Sequence, residues 1–129
     1  MKRSTALTTV LVLLAAAATV PAVAEGLPAF PVAEGFGAAS IGGRGGRVIK
    51  VTNLDTRGPG SLQAACRAEG PRIVVFDVSG VIPGDVVIEH GRISIMGQTA
   101  PGAGVTIAGM LSTRYNPPQT IDDVVVPGM

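Results

Sequence analysis

The sequence predicts an all-β fold, and two observations carry that prediction. Four short stretches rich in Val and Ile are separated by Gly, Pro, Asp or Ser; they are Ile73–Val78, Val86–Ile88, Ile93–Met96 and Val105–Ile107. β-Branched residues favour a pleated, half-buried backbone, and Gly and Pro supply turns. No gap between the stretches could hold a crossover helix, so a doubly wound α/β sheet is excluded. A meander, a sandwich and a β-solenoid remain.

Composition limits the class of protein. The chain has 129 residues, which suffice for one domain, and 18 Gly and 10 Pro favour turn-rich structure. A hydrophobic fraction of 47% is too high for a disordered chain. The net charge of +1 gives no indication of binding to nucleic acid or to an anionic membrane surface.

The first 24 residues have the pattern of an export signal. Lys2 and Arg3 precede an apolar run over residues 6–20, and Ala22-Val23-Ala24 is a small-x-small cleavage site. A membrane anchor is the alternative, but roughly 15 apolar residues fall short of the ~20 that a bilayer requires. We therefore predict a signal peptide over 1–24 and a secreted or periplasmic mature chain over 25–129, not associated with a membrane after cleavage.

The mature chain begins with a segment rich in Pro and Gly. Pro28 and Pro31 exclude a helix and predict an extended arm. Residues Gly42–Gly46 match neither a P-loop nor a dinucleotide-binding fingerprint. We interpret them as a turn that lets one backbone pass close to another.

One strand and one helix are predicted before the four apolar stretches. Arg47–Leu54 alternates as a strand does, and Ser61 can cap a helix that continues to about Glu69 and ends at Gly70-Pro71. The apolar face of this helix consists of Leu62, Ala65 and Cys66. A helix this short is not stable alone, so we expect it to cover an open apolar surface.

A short helix before a series of short strands is the plan of a parallel β-helix with its N-terminal cap, because the first coil of a solenoid needs a cover. Alternation divides residues 73–78 between two faces. We expect Val74, Phe76 and Val78 to point inward, and Ile73, Val75 and Asp77 outward. The inward pattern repeats at Ile93, Ile95, Val105 and Ile107.

Several motifs carry a resemblance to a known family. They are Gly35-Phe36-Gly37, Gly42–Gly46, Val51-Thr52-Asn53-Leu54, Gly58-Pro59-Gly60-Ser61-Leu62, Val75-Phe76-Asp77-Val78-Ser79-Gly80 and Gly97-Gln98-Thr99-Ala100-Pro101-Gly102. In this order, over about Leu27 to Gly109, the chain resembles the beginning of pectate lyases of the parallel β-helix type, especially secreted bacterial members. The resemblance implies a right-handed parallel β-helix and calcium-dependent β-elimination of polygalacturonate, an acidic polysaccharide.

The chemistry of such a lyase requires groups that can be sought in this chain. In the family, Ca²⁺ held by several carboxylates neutralises the substrate carboxylate, and an arginine removes the C5 proton. The resemblance implies that these groups lie on later coils. We therefore assign no catalytic residue and no metal ligand here, expect no calcium bound by this chain alone, and leave the substrate-binding residues open.

Substitutes within the chain have simpler interpretations. Asp85 with Glu89, or Asp122-Asp123, could be imagined as calcium ligands, but Ca²⁺ usually takes six or more oxygens from converging segments. We interpret these carboxylates as solvated residues of turns and strand edges. His90 is interpreted as a turn residue, and Arg92 and Arg114 match no catalytic position. Cys66, the single cysteine, can form no intrachain disulfide and is interpreted as a small core residue.

The end of the chain supports two interpretations of function. Met110–Thr120 is predicted to be a loop and Ile121–Val126 a strand, after which we expect the last coil to be bare. The first interpretation is an N-terminal fragment of an exported pectate-lyase-like polysaccharide lyase, inactive alone. The alternative is a non-catalytic exported β-helix module for surface binding or for structure. Sequence downstream of Met129 would discriminate between them.

Overall fold

The computed structural model describes residues 26–114 and 124–127. These residues form eight strands, one α-helix and one 3-10 turn. The strands are β1 (Arg47–Val51), β2 (Arg72–Phe76), β3 (Gly80–Pro83), β4 (Val86–Ile88), β5 (Ile93–Ile95), β6 (Val105–Ala108), β7 (Leu111–Thr113) and β8 (Val124–Val125). The helix α1 spans Leu62–Arg67, and the 3-10 turn spans Gly97–Thr99.

Every strand pair in the described ranges is parallel. The largest sheet has the order β1-β2-β5-β8, and two smaller sheets pair β3 with β6 and β4 with β7. The consecutive strands β2, β3 and β4 therefore pair one by one with β5, β6 and β7. This arrangement of parallel sheets with little helix is compatible with a parallel β-helix, and an antiparallel meander or sandwich is not what these residues form.

The predicted inward face is confirmed. Val74 and Phe76 are buried, Ile93 and Ile95 are fully buried, and Val78, Val105 and Ile107 pack against the same core. In the largest sheet Ile49, Val74 and Ile95 are aligned in register on successive strands. At this level like side chains stack, which lets the three strands bury apolar surface against one another.

Two strands lie where the sequence predicted none. Leu111–Thr113 is strand β7, although residues 110–120 were predicted to be a loop, because pairing with β4 supplies the partner that so short a segment needs. Gly80–Pro83 is strand β3, which pairs with β6. Val124–Val125 lies in the predicted last strand, whereas residues 115–123 lie outside the described residues.

Helix α1 begins as predicted and ends earlier. The Ser61 hydroxyl accepts a hydrogen bond from the Ala64 N–H at 3.2 Å, which identifies Ser61 as the N-cap. The backbone turns extended at Ala68 (ψ 142°), before Gly70. The predicted face of Leu62, Ala65 and Cys66 is buried, and the helix packs against β4 and β1.

The segment before β1, residues 26–46, differs from the predicted extended arm. It is a series of turns, closed by a hydrogen bond of 2.7 Å from the Ala29 N–H to the Ala38 carbonyl. We call residues 26–46 the N-terminal arm. The predicted close passage is confirmed, because a Cβ at Gly43 would overlap the Arg72 carbonyl and one at Gly46 would overlap the Pro71 carbonyl.

The predicted signal peptide lies outside the described ranges. Among residues 26–114 and 124–127, no helix has the length and apolar character needed to cross a membrane.

Candidate functional site

The most strongly bonded side chain in the described part of the chain is Arg72. It lies at the start of β2, is fully buried, and donates all five of its guanidinium hydrogens to backbone carbonyls. The acceptors are Ala65 (2.9 Å from Nε), Gly70 and Gly91 (3.0 Å each from Nη1), and Cys66 and His90 (2.9 Å each from Nη2).

This guanidinium joins three parts of the chain. Ala65 and Cys66 belong to the last turn of α1, where the helix dipole favours a nearby cation. Gly91 and His90 lie in the turn between β4 and β5. Arg72 thus links the end of the helix to its own strand and to the turn before β5, and no donor of its guanidinium remains for a substrate.

The neighbouring thiol is unreactive in character. Burial raises the pKa of the Cys66 thiol from its ordinary value of 9.0 to about 12, although the charge of Arg72 acts in the opposite direction. Burial also lowers the pKa of the Arg72 guanidinium. A nucleophilic cysteine requires a lowered pKa and access to solvent, so the interpretation of Cys66 as a core residue is supported.

Gln63 gives the edge of β4 a hydrogen-bonding partner. Its amide nitrogen donates to the Val87 carbonyl at 3.0 Å, and its amide oxygen accepts from the Val87 N–H at 2.9 Å. On the opposite side, β4 pairs with β7. The Gln63 side chain therefore occupies the position that a preceding strand of the same sheet would occupy.

Glu89 forms the centre of an ion cluster on the surface. Its carboxylate lies 2.8 Å from Arg67 Nε and 3.9 Å from Arg114 Nη2. The hydrogen bond from Arg67 holds the pKa of the Glu89 carboxyl below its usual value, against partial burial, and the charge of Arg114 lowers it further. Because the three residues lie at the ends of α1, β4 and β7, the cluster joins these three elements.

The two carboxylates considered as calcium ligands do not converge. Asp85 and Glu89 lie at opposite ends of β4, roughly 13 Å apart at about 3.3 Å per strand residue. The Asp85 carboxylate accepts a hydrogen bond of 2.8 Å from the Met110 N–H, and Glu89 is bound by Arg67. Asp122-Asp123 lies outside the described residues. Within residues 26–114 and 124–127, no group of three or more His, Cys, Asp and Glu is arranged to hold a metal ion.

The remaining candidates make contacts between segments of the scaffold. His90 Nε2 lies 4.0 Å from the Glu69 carboxylate, and the His90 carbonyl accepts from Arg72. Arg92 has a positive φ of 56° in the turn before β5, and its Nε lies 3.4 Å from the Gly42 carbonyl. The described residues do not bring these side chains into one reactive constellation.

Sequence reasoning missed the roles of Arg72 and Gln63. A signal for Arg72 was present, because the inward alternation of Val74 and Phe76 extends back to position 72, where a charged residue must be buried with partners. Gln63 had no such signal. It adjoins the apolar face of a short helix, and only the position of β4 reveals its use.

The chain is similar to named fungal proteins over much of its length. It is 56% identical over 84 residues to proteins called "Probable pectate lyase C" from Aspergillus fumigatus and from Emericella nidulans, and 52% identical over 84 residues to the protein of that name from Aspergillus oryzae. Each match covers 64% of this chain and 20% of the relative. No protein-family model matches the chain.

These similarities support a relationship to the pectate lyases. The chain spans about a fifth of the length of the curated relatives that it matches. The relatives named above are fungal, so the particular resemblance to bacterial members is not supported by them.

Proposed function

We propose that this chain forms the N-terminal part of an exported pectate-lyase-like polysaccharide lyase with a right-handed parallel β-helix fold. The observation that carries the proposal is the 56% identity over 84 residues to proteins named as pectate lyases. The coil-by-coil parallel pairing of β2, β3 and β4 with β5, β6 and β7 supports it, because this pairing is what a β-helix requires.

The role of the described residues in this proposal is to begin the coil and hold its turns in register. Helix α1 acts as the N-terminal cap, with Gln63 satisfying the edge of β4. Arg72 and Glu89 each bind groups from different coils. These side chains use their hydrogen-bonding capacity within the protein, as structural residues do.

Catalysis in this proposal belongs to coils that this chain does not contribute. Ca²⁺ in such a lyase would neutralise a uronate carboxylate of the acidic polysaccharide. The carboxylates of Asp85 and Glu89 do not fit that ion. They lie apart, and each already accepts a hydrogen bond from the protein. We accordingly assign no catalytic step, metal ligand or substrate-binding residue to this chain, and we expect it to be inactive alone.

A test of the proposal uses two proteins. The first is the mature chain. The second is a chimera in which residues 26–127 replace the segment of the Aspergillus fumigatus relative that contains the 84 aligned residues. Each is incubated with polygalacturonate and Ca²⁺, and the unsaturated uronide product is measured with and without a chelator. We expect product from the chimera only, and only with Ca²⁺.

Two results would contradict the proposal. Product from the chain alone would mean that it contains its own active site. A chimera that folds but cleaves no polygalacturonate, while the unmodified relative does so, would mean that this chain cannot serve as the first part of such an enzyme. In the second case, binding of the chain to polygalacturonate without cleavage would favour a non-catalytic exported β-helix module.

A further inference from the structure

The N-terminal arm runs across the strands of the largest sheet in the direction of the later coils. Gly46 approaches Pro71, next to β2. Gly43 approaches Arg72, and the Gly43 N–H donates a hydrogen bond of 2.9 Å to the Ser94 hydroxyl on β5. Gly42 lies against Ser94 and Val125, the latter on β8. From Gly46 to Gly42, the arm therefore passes from β2 across β5 to β8.

The arm covers the outward face of the later strands. Ser94 and Val125 are register partners and alternate with inward residues, yet each is only 4% exposed. Val48, which occupies the same outward level on β1, is 60% exposed. The difference follows from the arm, which packs on β5 and β8 and leaves β1 open.

The part of the arm that precedes Gly42 presents apolar side chains without a cover among the described residues. Phe36, Val32 and Leu27 are the most exposed, with Leu27 at 70%. The arm is nevertheless held in shape, because Arg44 donates hydrogen bonds to the carbonyls of Leu27 and Pro28 at 3.3 and 2.7 Å. A fixed loop with several exposed large apolar side chains is typical of an interaction surface.

We propose that residues 27–41 of the arm are a docking surface for the outward face of the strand that continues the largest sheet after β8. This inference rests on the proposed function, since the following coils would come from the remaining four fifths of a protein like the relatives. Continuity supports this occupant: the arm already covers β5 and β8, and β8 is the edge of the sheet within the described residues. The arm would then run along the axis of the β-helix and join the first coils to the later ones.

The chemistry of the docking strand follows from the two strands already covered. Its outward residue should be small or aliphatic, as Ser94 and Val125 are where Gly42 lies over them. A large charged residue there would leave its charge desolvated under Phe36 and its apolar neighbours. The partner is therefore an apolar sheet face rather than a charged ligand.

Thiol labelling tests this proposal, and the buried Cys66 gives a built-in control for folding. Phe36→Cys is made in the mature chain and in the chimera described above, and the rate of maleimide labelling is measured in both. Val81→Cys is the matched control, because Val81 is 56% exposed on β3, away from the arm. Molecules in which Cys66 stays unlabelled are folded around this core.

We expect labelling at position 36 to be slower in the chimera by about tenfold or more, since docked groups react only after local opening, and labelling at position 81 to be unchanged. Equal rates at position 36 in the two proteins would overturn the proposal. If Phe36→Cys exposes Cys66 to labelling, Leu27→Cys replaces it with the same expected outcomes. Lyase activity of the chimera is measured separately, so protection at position 36 without activity would refute the proposed function and retain the docking surface.

Discussion

The side-chain amide of Gln63 pairs with the main chain of Val87 as a neighbouring strand would. The amide donates to the Val87 carbonyl at 3.0 Å and accepts from the Val87 N–H at 2.9 Å. Gln63 is only 6% exposed, so the pair is shielded from water. A single helix residue thereby satisfies both polar groups on the open edge of β4, which would otherwise be buried without partners.

Replacing Gln63 by Leu should destabilise the protein by about 2 kcal/mol, because both main-chain groups of Val87 lose their partners while the volume is kept. Urea unfolding followed by circular dichroism measures the change. Gln98→Leu is the control, since Gln98 is exposed, and it should change the free energy of unfolding by less than about 0.5 kcal/mol. Equal effects of the two substitutions would mean that the amide pair contributes nothing.

Replacing Arg72 by Met should cost about 3–5 kcal/mol or prevent folding, because five carbonyls lose their donor at once. Arg72→Lys should recover little, since an ammonium has three donors and lacks the planar fork. Arg57→Met, in an exposed turn, is the control. The yield of folded protein and the unfolding midpoint are the measurements, and a stable Arg72→Lys variant would contradict the role given to the fork.

Gly43→Ala should lower stability by at least about 1–3 kcal/mol, the usual range for overpacking, because the added Cβ overlaps the Arg72 carbonyl. Gly37→Ala is the matched control on the same arm, where a Cβ has open space. Thermal unfolding compares the two variants. If Gly43→Ala behaved like Gly37→Ala, the arm would not lie against β2 in solution.

The ion cluster around Glu89 should make stability depend on pH in the acidic range. The pKa of this carboxyl is lowered in the folded state, chiefly by the hydrogen bond from Arg67. Its contribution is therefore present above the unfolded pKa of about 4.3 and is lost as the pH falls through the lower folded value. Glu89→Gln should reduce the acid-side slope of the unfolding free energy. Added salt should weaken the effect, because the cluster lies at the surface.

The thiol of Cys66 should make stability fall on the alkaline side. Its folded pKa is raised from 9.0 to about 12, so between these values the unfolded chain releases a proton that the folded chain keeps. The stabilisation is complete below pH 9.0 and decreases as the pH rises towards 12. Cys66→Ala should remove this slope between pH 9 and pH 11. A slope that is the same in both proteins would show that other groups cause it.

Local patterns predicted much of the framework. Alternation at Val74 and Phe76 identified the buried face of β2, and the hydroxyl of Ser61 identified the start of α1, because strand pleat and helix capping depend on neighbours in sequence. The closeness of Gly43 to another backbone was also readable, since runs of glycine mark such approaches. Strand β7 and the early end of α1 were not predicted. Strand β7 forms by pairing with β4, whose residues lie far from it in the sequence.

The sequence by itself determined which side chains are apolar, in what alternation, and where a helix could begin, since these follow from residue type and spacing. Only the tertiary structure decided which strands are neighbours in each parallel sheet, and that Arg72, Gln63 and Glu89 are engaged in joining separate elements. The physical reason is that contacts between residues far apart in the sequence form only after the chain has folded back on itself. Before folding, the type and position of these polar residues do not show whether each has a structural or a catalytic role.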